Sequence, residues 1–177
     1  MKKILFTLLL SPLFCNAQSI KNLDIKNGFL QFHFGDTITN YTFLLHADRP
    51  RKGYYLVSHK AVKLNRYLDK TVLYFPNGIL EGIELQVQGD SNIDFMNNAL
   101  KKAYGDASEI RDTLENRKNY HTNFMIWQGQ HVVVIAKKSV FDLMSDARDI
   151  HIVYETITFK RANDIKIEGE LGPDFPL

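Results

Sequence analysis

Histidine and aspartate are the side chains whose types and placement most invite chemistry in this chain. His33, His131 and His151 all fall in segments of strand-like pattern. Imidazoles that meet across a sheet bind zinc or copper when a carboxylate such as Asp36 or Glu155 joins them. No two of these histidines share a short ligand spacing, however, and His33 lies on the same alternating face as Gln31, where a solvated histidine is ordinary. Asp142, Asp146 and Asp149 have the acid density of a calcium loop without its alternating spacing or central glycine. Asp36 and Asp90 would suit an acid and base pair, but each stands where a helix cap is expected. The chain contains no G-x-S-x-G elbow, H-E-x-x-H pair, phosphate loop or dinucleotide-binding G-x-G-x-x-G turn. The residues therefore assign no catalytic group, no metal and no cofactor. The alternative is a periplasmic hydrolase or metal-binding enzyme whose histidines and aspartates are assembled by the fold.

Charge is unevenly laid out. Arg49, Arg51, Lys52, Lys60, Lys63, Arg66 and Lys70 face only Asp48 and Asp69 over residues 46–70, and Tyr54, Tyr55 and Tyr67 are interleaved with them. Residues 81–94 carry Glu81, Glu84, Asp90 and Asp94 with no base. A basic, tyrosine-bearing region suits an anionic partner, because arginine and tyrosine combine charge or hydrogen bonding with large contact area. Arg49, Arg51, Lys52, Tyr54, Tyr55, Lys60, Lys63, Arg66 and Tyr67 are accordingly the candidate binding residues, with an envelope protein, acidic in this reading, as the expected partner and a lipid headgroup or polyanionic glycan as alternatives. The competing reading is that these lysines face water along strands and protect sheet edges from aggregation.

The N-terminus predicts a destination. Lys2 and Lys3 precede the apolar run Ile4–Leu10, Ser11 and Pro12 break it, and Asn16-Ala17 offers a small residue before Gln18. These are the three parts of a secretory signal peptide, and the apolar run is too short to span a membrane. Phe14, where a lipoprotein signal wants a small residue, argues against lipidation at Cys15. Subtracting Lys2 and Lys3 from the 22 basic residues leaves 20 against 20 acids, and the only cysteine leaves with the leader. The mature chain is then formally neutral and free of thiols, so it suits an oxidising periplasmic or secreted setting and cannot use cysteine catalysis. Nucleic acid is not an expected partner at that destination, and no later segment is apolar enough to cross a membrane.

The expected organisation is a signal peptide over 1–17, one domain over 18–162 and a loosely held tail over 163–177. Residues 28–34 alternate as a single strand, which Gly35-Asp36-Thr37 ends before a short helix reaching about residue 46. Residues 54–58, 61–67 and 71–75 read as strands, and Pro76-Asn77-Gly78 as a turn. In the return strand Ile83, Leu85 and Val87 oppose Glu84, Gln86 and Gln88, a pattern of antiparallel sheet with one wet face. Ser91 with Asp94 predicts a capped helix start, Ile93, Met96, Leu100 and Ala103 its apolar stripe, and Gly105 its end. Residues 123–136 read as a strand pair or one long bulged strand with Gly129 at the break, with Phe124, Met125 and Trp127 in the core, and 150–159 as a further strand. Residues 106–121 and 139–149 stay unassigned. Gly35-Asp36-Thr37 and Gly89-Asp90-Ser91 echo one another, which chance recurrence of capping explains better than repeated strand–helix units. Together these elements predict an α+β fold, mainly an antiparallel sheet with one or two helices packed on one face.

Several pieces also carry a resemblance. They are the Asn16-Ala17-Gln18 end of the leader, Gly28-Phe29 with Phe34-Gly35-Asp36, Phe75-Pro76-Asn77-Gly78, Leu100 with Tyr104-Gly105, and Trp127-Gln128-Gly129. In these the chain resembles small secreted Bacteroidota proteins of α+β type and, more distantly, is similar to the helix-plus-antiparallel-sheet modules of beta-lactamase-inhibitor-like proteins. The resemblance implies protein binding of an inhibitor or toxin-immunity type and supplies no functional residue.

Overall fold

The computed structural model describes residues 20–41, 45–47, 51–64, 66–114, 120–145 and 148–162. The candidate Arg49, the leader and the tail lie outside them. Among the described residues the chain is α+β: an eight-stranded sheet in which every pairing is antiparallel, a separate two-stranded hairpin, and two α-helices.

Helix α1 is described over residues 20–26 and ends at Asn27, whose positive φ of 46° and backbone bond to Leu23 make an asparagine cap. Residues 28–34 then depart from the single strand expected. β1 (Gly28–Phe29) and β2 (Phe32–His33) fold back on each other about Leu30 and Gln31. The fold buries Phe29, Phe32 and Phe34 and leaves Leu30, Gln31 and His33 exposed. Gly28 makes this possible, because a Cβ there would lie 2.0 Å from the Phe32 carbonyl oxygen. Asp36 and Thr37 cap no helix: Thr37 bridges to Ile79, Asp36 accepts from the Tyr41 hydroxyl, and only a short 3-10 turn, Ile38–Asn40, follows.

β3 (Leu45–Ala47), β4 (Tyr54–Val57), β5 (Lys70–Tyr74) and β6 (Gly82–Gln88) form one meander. The strand expected over 61–67 is instead a 3-10 turn, His59–Ala61, followed by further turns. Helix α2 (Asp90–Tyr104) connects β6 to the far edge of the sheet. It starts one residue before the expected cap, on Gly89 with no side-chain cap, and Gly105 ends it at φ 82° as expected. A second meander returns through β7 (Glu109–Leu114), β8 (Tyr120–Gln128), β9 (Val132–Ser145) and β10 (Arg148–Arg161) until β10 pairs β6. The unassigned stretches 106–121 and 139–149 thus hold β7 and the tip of a long β9–β10 hairpin.

Register sets the faces. Ile83, Leu85 and Val87 stand beside Phe159, Ile157 and Glu155, which stand beside Val134, Ala136 and Lys138. The apolar members of this row join Ile93, Met96, Leu100 and Tyr104 of α2, Leu23 of α1 and Trp127 in one buried cluster. Phe124 is buried as expected, and Met125 packs partly buried against the cluster. Among the described residues no helix is long and apolar enough to cross a membrane.

Candidate functional site

The basic and tyrosine residues do not gather into one patch. Arg51 bonds Glu84 at 3.1 Å and lies 4.4 Å from the centre of the Tyr54 ring, which stacks on Tyr74. Pairing places Tyr54 opposite Tyr74 and Glu84 opposite Val72, so this group occupies the sheet face away from Leu73 and Ile83. Tyr55 points the other way, edge-on to Phe75 in the core. Lys52 is exposed. Arg66 and Tyr67 form a separate group with α2: the Arg66 guanidinium lies 4.6 Å from the Tyr67 ring centre, and that ring stacks on Phe95 at 3.8 Å. Lys60 and Lys63 are exposed in the same turn segment. Phe95 is 38% exposed and was not among the expected binding residues. Its signal was its position off the apolar stripe, two residues beyond Ile93.

A groove of about 660 Å³ opens between α1, the β1–β2 hairpin and α2. Phe29, Met96, Leu100 and Tyr104 are its buried walls, and Ile25 and Leu30 its exposed lip. Lys26 and His33 also line it, and a ring nitrogen of His33 lies 3.2 Å from the Lys26 carbonyl oxygen. The Lys26 ammonium lies 5.1 Å from the centre of the Tyr104 ring. Burial pushes the Tyr104 hydroxyl up to about 12, so the ring stays neutral under the ammonium.

Beneath α2, Glu155 is fully buried on the core side of β10. Asn97 donates to its Oε1 at 3.1 Å, while Glu155 Oε2 and Asn97 Oδ1 have no hydrogen-bond partner. Loss of solvent pushes this carboxyl up to about 7; Asn97 and Lys138 oppose the shift and Asp94 adds to it. Lys138 is itself held by Asp90 at 3.0 Å, so Asp90 serves an ion pair rather than acid–base work. Glu155 belongs to the alternation Val153, Glu155, Ile157, Phe159, where a glutamate in the apolar register was the visible sign.

His33 and His131 do not converge. His33 lines the groove, and His131 lines a second cleft of about 810 Å³ between α1 and the β8–β9 turn. The side chain of His151 lies outside the described residues, as do Asp142, Asp146 and Asp149. No group of three or more metal-ligating side chains comes together among the described residues. In the second cleft the Asp24 carboxylate accepts from the backbone N–H groups of Gln130, His131 and Val132 at 2.8, 2.8 and 3.0 Å.

Compared with known proteins, the chain matches no protein family, no curated protein and no solved structure.

Proposed function

We propose that the mature chain is an exported, non-enzymatic module of the bacterial envelope that binds an acidic protein partner, in the manner of an inhibitor or a toxin-immunity protein. The single observation that carries this reading is the Arg66–Tyr67–Phe95 stack, with Lys60 and Lys63 exposed in the turn segment that precedes it. Stacked aromatics crowned by arginine are the usual composition of an interface hot spot, since they bring large area at small entropic cost. The leader and the absence of catalytic motifs support the same reading, as does the mainly antiparallel α+β fold.

The test is capture from the native envelope with the mature chain as bait, read by mass spectrometry against two variants of unchanged thermal stability. Arg66→Glu and Phe95→Ala should each lose the same captured protein by tenfold or more. Arg51→Glu, on the opposite sheet face, should retain it. Equal capture by wild type and both patch variants would remove the assigned surface.

A further inference from the structure

The groove between α1, the β1–β2 hairpin and α2 has a composition that the protein-binding reading does not use. Its walls are apolar, and Ala99 and Ala103, one turn apart on α2, leave room along the helix. Among the described residues no aspartate or glutamate lines it. Its rim carries Lys26, whose ammonium lies 5.1 Å from the centre of the Tyr104 ring, and His33, a ring nitrogen of which lies 3.2 Å from the Lys26 main-chain carbonyl oxygen. At about 660 Å³ it has the size of a small-molecule site. An apolar trough with the Lys26 ammonium at its rim selects a ligand by both parts: hydrocarbon enters the trough, and an anion replaces water at the rim.

We infer that this groove is a binding site for a soluble single-chain carboxylate amphiphile of the fatty-acid class, its chain lying along Ala99 and Ala103 and its carboxylate at Lys26 and His33. Leu30 supports the assignment. It stands at the lip, 42% exposed, with φ of 53°, a conformation a branched side chain adopts only under strain. Such strain persists where the surroundings enforce it and clusters at ligand clamps. The site shares no residue with the Arg66–Tyr67–Phe95 stack, so the two proposals stand or fall separately.

The experiment is titration calorimetry of the mature chain with dodecanoate below its critical micelle concentration. One saturable site per chain is expected. Lys26→Glu should weaken binding at least tenfold. Ala99→Leu, which fills the trough and keeps Lys26 and His33, should weaken it by a similar factor, and circular dichroism should show both variants folded. Dodecanol should bind at least tenfold more weakly than dodecanoate. Equal binding of dodecanol, unchanged affinity in either folded variant, or no saturable heat at all would overturn the inference. So would binding confined to vesicles of phosphatidylglycerol, which would make the groove a membrane contact.

Discussion

Asn97 in the middle of α2 donates its side-chain amide to Oε1 of Glu155 on β10, and each partner keeps one buried oxygen, Asn97 Oδ1 and Glu155 Oε2, without a donor. A proton on Oε2 turns one of two orphan acceptors into a donor, so the geometry itself favours the neutral acid. Asp94 on α2 also favours that proton, and Lys138 on β9, already paired to Asp90, opposes it.

The acid therefore couples folding to pH. Its folded value of about 7 lies above the ordinary 4.5, so the native chain keeps a proton that the unfolded chain releases. The stabilisation is complete below about pH 4.5 and is lost as pH rises through about 7. Glu155→Gln retains the acceptor for Asn97 and adds a permanent donor. It should unfold at a similar temperature to wild type at pH 4.5 and several degrees higher at pH 8, an effect of roughly 3 kcal/mol. Parallel melting-temperature profiles for the two proteins between pH 4.5 and 8 would exclude the coupling.

Asp24 works in the opposite direction. Partial burial raises its carboxyl, but the backbone bonds from His131, Gln130 and Val132 together outweigh it and hold the group below the ordinary carboxylate value. Its contribution is present above about pH 4 and lost as pH falls through the lowered folded value. Asp24→Ala leaves three N–H groups of the β8–β9 turn without this acceptor and frees α1 from the turn. We expect a loss of about 2 kcal/mol and a melting temperature lower by roughly 5 °C at pH 7. Faster amide exchange should be confined to α1 and residues 129–132. A uniform change over the whole sheet would show that the latch is not local.

What the sequence revealed and what it hid follow from how far apart the deciding partners are. β6 was legible because its alternation is local, and α2 because its stripe and Gly105 are. The hairpin at Leu30 was not, since strict alternation over 28–34 reads as one strand and only the close approach of Gly28 to Phe32 reverses it. Asp36 and Asp90 had the types and positions of caps, but Tyr41 and the distant Lys138 claim them instead. The basic run over 46–70 looked continuous because sequence distance hides the sheet face: Arg51 and Arg66 end with different partners, Glu84 and Tyr67. Phe95 was missed for the same reason, its partner Tyr67 lying on a separate turn.

Leu30 is a local exception that substitution can remove. Glycine adopts positive φ without the clash that a Cβ makes with its own backbone, a difference of about 1 kcal/mol. Leu30→Gly should therefore leave stability unchanged or raise it by up to about 1 kcal/mol, although it deletes an apolar side chain. Chemical denaturation of the two proteins measures this directly. A loss of more than 1 kcal/mol would mean that Leu30 contributes packing to the hairpin that exceeds the strain.

Phe95 separates stability from recognition. Its ring stacks on Tyr67 with centres 3.8 Å apart, and an aromatic pair of this kind contributes about 1 kcal/mol beyond its buried area. With Phe95 at 38% exposure, Phe95→Ala should lower stability by only about 1–2 kcal/mol, well short of a core deletion. Truncating a hot-spot residue, by contrast, weakens binding by 2 kcal/mol or more. The captured envelope partner should accordingly bind Phe95→Ala at least tenfold more weakly, while Phe95→Tyr, which preserves the stack, should bind nearly as wild type. If Phe95→Ala and Phe95→Tyr bind alike, the stack serves only to hold the Arg66 turn against α2.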